Sequence, residues 1–397
     1  YNAIEYYKEV IRQAPENNDA AYKLAETYFK ARDYKSAGHW YNEVVKGKST
    51  HPLAEFKYAQ MLKIQGDYEK AKEHFRNFLA KYKEEDAPKY RALVKKELEG
   101  CDMAILKPAP SQLTIKRLSN NINAAYNEYS PTITPGGSLM FASLRSDTLL
   151  YQEKKSAPPV SKIYTAMKQR GEWDFPEPIL STINDDKYYV SNGTYSTDGA
   201  RFFFTKCRQT IAGGLQCAIY MSNVIEGVWQ EPVILNKSIN APKSSNTQPA
   251  IRDDGQDKEI LYFVSDREGG EGGKDIWYAI GNKKGDFQGA KNLRIPVNTA
   301  GDEVSPFYDE RTGTLYFSSD GHPGYGGLDI FSTKEIEVKW SEPENNGRPL
   351  NSTFDDFYFT QDKKGKGGFF VSNRKGSLKL DKYVISDDIY EFTWYKY

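Results

Sequence analysis

Small and aromatic positions recur with one period along the first 106 residues. Ala3, Ala37 and Ala71 stand 34 residues apart, as do Tyr7, Tyr41 and Phe75, and Ala25 with Ala59 and Tyr28 with Leu62 keep the same spacing. A repeat of that length holds two helices and a turn. Within each unit the small residue marks where two helices approach, and the aromatic follows one turn on, as in Tyr34, Ala37, Tyr41 and then Tyr68, Ala71, Phe75. That is one face of a 3.6-residue period. Pro15 to Asp19, Ala31-Arg32-Asp33 and Gln65-Gly66-Asp67 punctuate the helices, and Asp86-Ala87-Pro88 opens a last helix to about Leu106.

These positions resemble the tetratricopeptide repeat: small Ala25, Ala59, Ala37 and Ala71, large Tyr41 and Phe75, and Pro15 at that family's terminal proline. The sequence departs where Ala21 and Glu55 replace the first aromatic. The resemblance implies an α-solenoid of about two and a half repeats, serving either as a protein-docking surface or as a helical cap on a second domain. No peptide-carboxylate clamp transfers onto these residues.

Residues 107–112, containing Lys107-Pro108-Ala109-Pro110-Ser111, read as a short stiff linker, because proline fixes φ and disfavours helix before it. Residues 113–397 follow a different rule. The phrase apolar-x-aromatic-x-Ser-x-Arg recurs around Phe141, Phe204, Phe263, Phe317 and Phe370, at spacings of 53 to 63 residues. Upstream of the copies stand Ser130-Pro131, Gln248-Pro249 and Ser305-Pro306, each before a glycine turn. Downstream come Ile163-Tyr164, Ile219-Tyr220, Asp275-Ile276-Trp277, Asp329-Ile330-Phe331 and Asp388-Ile389-Tyr390, and connections end at Asn184, Asn240, Asn298 and Asn351. Strand and turn signals alternate without a helical period. Four short strands per copy, set radially, make a β-propeller. Five blades are predicted, with six open if the front fragment builds its own. The fragment Ile115 to Asn123 looks like the end of a repeat whose start is missing, and the fifth copy lacks that end, so the two should close the ring together. The fold class is therefore α plus β and multidomain: helical solenoid at 1–106, linker at 107–112, propeller at 113–397.

Composition narrows the partners. Of 397 residues, 54 are basic and 54 acidic, so the chain lacks the field of a nucleic-acid or anionic-membrane binder. The 29 tyrosines, 20 phenylalanines and 31 glycines fit aromatic strands and tight turns. No apolar run is long enough to span a bilayer.

Candidate chemistry is sparse. Cys207 and Cys217 flank a turn in the second blade, on strands whose Cβ atoms can come within disulfide reach, while Cys101 reads as a buried apolar residue. The four histidines, His39, His51, His74 and His322, have no zinc or triad spacing. The glycine-rich segments 266–275 and 320–329 join strands, so they read as hairpin loops and not as phosphate loops. Calcium at Asp266, Asp275, Asp320 and Asp329 is the lesser reading. Ser143, Arg145, Ser265, Arg267, Asp275, Ser319, Asp329, Ser372, Arg374 and Asp388 recur from blade to blade, which suits a structural brace in which the aspartates pair an arginine or cap a turn. Glu128 and Glu303 are the one pair that could face each other across the channel as a glycosidase needs. No catalytic, cofactor-binding or metal-ligating residue is assigned.

The repeat Ser-Pro, Gly, Leu-Tyr-Phe-x-Ser-x-Arg, Gly-Gly-x-Asp-Ile-aromatic resembles the TolB-type propeller of bacterial envelope proteins. Its placement after tetratricopeptide helices is similar to the PorE-like group of the Bacteroidota type IX secretion system, and Asp147-Thr148-Leu149 resembles a short O-glycosylation site of that phylum. The resemblance implies a non-catalytic adaptor in the periplasm, associated with the outer membrane. It would dock a PorP-like barrel or other type IX secretion and gliding components, and reach peptidoglycan through an OmpA-like domain beyond Tyr397. An export signal would precede Tyr1. A TolB-like adaptor outside type IX secretion and a glycan-acting hydrolase are the alternatives.

Overall fold

A computed structural model describes residues 2–47, 51–106, 113–145, 160–179, 182–210, 213–337, 339–379 and 384–394. The expected linker at 107–112 and the tripeptide at 147–149 lie outside the described residues.

Six helices come first: α1 (Asn2–Gln13), α2 (Asn18–Lys30), α3 (Tyr34–Lys46), α4 (Ala54–Ile64), α5 (Tyr68–Lys81) and α6 (Ala87–Leu106). Asn17 caps α2 by accepting from the Ala20 N–H, and Asp33 caps α3 by accepting from the Ser36 N–H and hydroxyl. Ala25, Ala37, Ala59 and Ala71 are fully buried. The helices meet at these positions because a larger side chain would hold their axes apart.

Five antiparallel blades follow, and they are here numbered I to V. The inner strands of the blades are Glu128–Ile133, Tyr189–Tyr195, Asn246–Gly255, Glu303–Asp309 and Asp356–Gln361. Each pairs with a central strand carrying the recurrent aromatic: Leu139–Ser143, Arg201–Gln209, Lys258–Ser265, Thr314–Ser319 or Gly367–Ser372. A third strand then carries the isoleucine-aromatic pair, and shorter outer strands complete blades I to IV. Blade V takes its outer strand from the front of the propeller. Leu113–Arg117 pairs antiparallel with Asp388–Trp394, so the two incomplete ends complete one another and the blade count is five.

One amide closes every blade. The side chains of Asn184, Asn240, Asn298 and Asn351 each accept from the N–H and donate to the C=O of Ile163, Ile219, Ile276 and Ile330, respectively. Asn123 does the same to Ile389 across the ring seam. An asparagine carries a donor and an acceptor in the geometry of a peptide group, so it substitutes for a missing strand neighbour.

The helices are joined to the propeller through a shared core. Tyr325, from the glycine-rich segment of blade IV, is buried among Phe56, Phe75, Phe78 and Val94 of the helices. The Arg348 guanidinium lies over the Tyr68 and Tyr325 rings at 5.3 and 4.8 Å, a cation–π pairing that links helix to blade. Gly100 of α6 packs directly on the backbone of Gly324.

Candidate functional site: the brace, the channel and the joint

The recurrent serine and arginine build one corner three times. The Nε of Arg145, Arg267 and Arg374 donates to Ser143, Ser265 and Ser372, two residues earlier. Their Nη2 groups donate to Glu128, Asn246 and Asp356 at the start of the inner strand. The same forks reach carbonyls of the preceding connection: Asn121 and Ile122, Ser238 and Ile239, Pro349 and Leu350. A planar guanidinium with five donors suits this triple duty. In blade IV Gly321 replaces the arginine; Ser319 still donates to Glu303, and His322 contacts the Val297 carbonyl in the arginine's stead. Blade II departs altogether. Lys206 stands at the serine position, and exposed Arg208 donates to Gln216.

The aspartates divide their work. Asp275 accepts from the Glu271 N–H and from Asn292, and Asp329 accepts from the Tyr325 and Gly326 N–H groups, so both cap their own loops and neither pairs an arginine. Asp388 does both, accepting from Arg117 and from the Leu378 N–H. The loop glycines make room: a Cβ on Gly270 or Gly324 would stand 1.9 or 1.8 Å from the capping oxygen. A Cβ on Gly272 or Gly326 would strike the backbone at Thr299 or Thr353, where the next blade begins. The glycine-rich segments are therefore inter-blade contacts as well as hairpins. Among the described residues no cluster of three or more His, Cys, Asp or Glu is placed to hold a metal ion.

Glu128 and Glu303 do not face each other across the channel. They occupy the same corner in blades I and IV, each fully buried and accepting from Ser143 or Ser319. Burial pushes both carboxyls up to about 7, against the opposing pull of these hydroxyls and, for Glu128, of Arg145. An acid raised in the folded state binds its proton more tightly there, so its contribution is complete below about pH 4.5 and declines as pH rises through 7. Glu303→Gln can keep the acceptor for the Thr299 N–H and donate to the Ser319 and Thr299 hydroxyls, whose present bonds are 2.6 and 2.7 Å. Urea midpoints at pH 5 and pH 8 should show the wild type losing about 2–3 kcal/mol more than this variant over that interval. Parallel profiles would refute the assignment.

What lines the channel is a set of five bulges. Ser130, Asn192, Gln248, Ser305 and Tyr358, one per inner strand, all have φ between 51 and 56°, and at each the register with the central strand slips. Left-handed backbone costs a residue with a Cβ about 1–2 kcal/mol, here offset by bonds between blades. The Asn192 N–H donates to Ser130 Oγ, the Gln248 N–H to Thr205 Oγ1, the Ser305 N–H to Gln248 Oε1, and Gln248 Nε2 to the Tyr358 hydroxyl. The cavity they enclose is about 60 Å³, far below the ~300 Å³ of a small-molecule site. Periodicity alone did not reveal these bulges, although a Ser-Pro or Gln-Pro pair marks three of them in the sequence.

The Cys207 and Cys217 sulfurs are bonded, on residues directly opposite one another in the blade II hairpin; Cys101 is buried in the helical core. Charge also crosses the joint. Arg32, left-handed at φ 60° in the α2–α3 turn, pairs with Asp387 of blade V, and Lys96 donates to the Asp320 carbonyl at 2.7 Å. Beside it, Lys63 and Glu97 form a fully buried pair at 2.5 Å, and although burial works to raise Glu97, Lys63 and Lys96 hold it at about 2. Among the described residues no helix is long and apolar enough to cross a membrane.

Residues 1–78 match the family described as anaphase-promoting complex, cyclosome, subunit 3, a tetratricopeptide-type repeat. No curated protein matches the chain. Similar solved structures include a thermostable family-43 glycoside hydrolase, 10% identical with a TM-score of 0.44 over 70% of this chain and 93% of that one. An endo-arabinase from Bacteroides thetaiotaomicron is 13% identical with a TM-score of 0.41, over 73% and 98%. A puromycin-hydrolyzing peptidase from Mycobacterium tuberculosis is 12% identical with a TM-score of 0.38, and the match covers 66% of this chain but only 38% of the peptidase. Likeness at this level carries no argument about chemistry.

Proposed function

We propose that this chain is a non-catalytic adaptor of the bacterial envelope, of the PorE-like kind. In this reading it lies in the periplasm against the outer membrane and docks a PorP-like barrel or another type IX secretion component, while an OmpA-like domain of the same protein holds peptidoglycan. The observation that carries it is the joint. A repeat array of the docking type shares its core with a propeller whose recurrent charged residues are occupied in bracing blades, so the two present one composite surface. The Cys207–Cys217 disulfide favours an oxidising compartment, as the periplasm is. A TolB-like adaptor outside type IX secretion differs only in the partner.

Crosslinking in the native envelope, followed by purification on a tag, should enrich a PorP-like barrel over an untagged strain. Recovery of envelope proteins with no type IX component among them would move the assignment to the TolB-like alternative, and recovery of cytoplasmic proteins alone would end it. The disulfide closes a short hairpin, so Cys207→Ser with Cys217→Ser should lower stability by about 2–3 kcal/mol. Urea titration with and without reductant checks this: the wild type should lose that margin on reduction, and the double variant should be indifferent.

A further inference from the structure

A cleft of about 650 Å³ opens where the α2–α3 and α4–α5 turns face the loops of blade V. Tyr34, Ile64, Phe354 and Ile385 give it apolar walls, and the Tyr34 and Phe354 rings meet at 5.9 Å across the joint. Exposed Lys35, Lys375 and Lys379 stand on its rim. The other charged groups lining it are committed elsewhere. Arg32 holds Asp387, Arg374 holds Asp356 and two carbonyls, and the Asp33 carboxylate caps α3. The three lysines have no carboxylate partner among the described residues, so a chain that is neutral overall concentrates unpaired positive charge around an apolar slot.

We propose that this cleft is the docking site for an acidic segment of a partner protein, which seats an apolar side chain against the joined Tyr34 and Phe354 rings and sets carboxylates against Lys35, Lys375 and Lys379. The inference rests on the adaptor reading and says where the partner sits. Phosphate recognition would call on free guanidinium forks, and both arginines in the cleft are already spent. An apolar floor also contributes nothing to a phosphate, whereas it supplies the buried anchor that a peptide needs. One wall comes from the helices and the other from blade V, so the occupant bridges the joint and depends on it.

The test uses fluorescein-labelled synthetic peptides of graded net charge, each with and without a central Phe or Leu, titrated by anisotropy against the whole chain. Acidic peptides carrying the apolar residue should bind, weakening with added salt. Lys375→Glu with Lys379→Glu should weaken them about tenfold or more, whereas Lys284→Glu, on blade III, should not. All these lysines are exposed, so thermal midpoints should stay unchanged and loss of binding can be told from loss of fold. The proposal is overturned if no acidic peptide binds, if basic peptides bind as well, if the double variant binds unchanged, or if inorganic polyphosphate alone occupies the site. The double variant also separates the two claims. If it keeps the envelope partner that the wild type crosslinks, the cleft is wrong and the adaptor reading stands; if even the wild type crosslinks none, the adaptor reading itself has failed.

Discussion

Replacing Gly100 with leucine is expected to part the helices from the propeller while leaving each folded. A Cβ at this position would stand 2.3 Å from the Gly324 carbonyl oxygen and 3.0 Å from its nitrogen. Both are backbone, so neither can turn aside as a side chain would. Helix α6 must then withdraw, and it takes with it the pocket that buries Tyr325, the stack of Arg348 between two tyrosines and the Lys96 bond to Asp320. Overpacking and the loss of one buried aromatic together amount to on the order of 4 kcal/mol. Within α6 itself the change is favourable by about 0.8 kcal/mol, because leucine is the better helix former. Calorimetry should therefore resolve two transitions in the variant where the wild type gives one, and proteolysis should cut between residues 106 and 113 more rapidly. Gly100→Ala should move both measurements in the same direction by less. One unshifted transition in the leucine variant would show that the joint does not couple the domains.

That joint was not legible in the sequence. Gly100 reads as a weak spot in a helix and Tyr325 as an aromatic in a glycine-rich loop, and contact between residues so far apart leaves no local pattern. The helices were legible because Ala37 and Ala71 or Tyr41 and Phe75 repeat with the helix pair, and each of these is fully buried. The ring closure was legible too, since the fifth copy lacked what the Ile115 to Asn123 fragment supplied. Glu128 and Glu303 show the opposite failure. Each stands two residues before a Ser-Pro pair, so the repeat already marked them as equivalent corners of two blades. Their chemistry suggested a facing pair, and the period was the better guide. The asparagines lie between these cases: their recurrence was visible, but their work, a side chain standing in for a strand, exists only once the third strand is in place.

The asparagine pincer matters most at the seam. Asn123 is fully buried, accepts from the Ile389 N–H at 2.8 Å and donates to the Ile389 and Leu118 carbonyls at 3.0 and 3.1 Å. Asn123→Ala leaves the Ile389 N–H and the Leu118 carbonyl without this partner in a buried site, while the Ile389 carbonyl keeps the Leu118 N–H. Each unsatisfied group costs about 1–3 kcal/mol, so a total of about 2–5 kcal/mol is expected, a large share of the ~5–15 kcal/mol margin of a domain. Asn184→Ala removes the same pincer from blade I, but there the clamped strand and its clamp are only 21 residues apart. At the seam the partners are 266 residues apart, and the other ties on that edge of blade V include the strand Leu113–Arg117 and the Leu118 N–H, which donates to the Ile389 carbonyl at 3.0 Å. Hydrogen exchange should consequently rise at 113–117 and 388–394 in the Asn123 variant, and around 162–166 in the Asn184 variant. Asn123→Asp sharpens the test, since its carboxylate keeps the acceptor, loses the donor and buries a charge. It should be more damaging than alanine at neutral pH and recover as acid restores a proton. If exchange at 388–394 stays at the wild-type level in both variants, the amide is not what holds the ring shut.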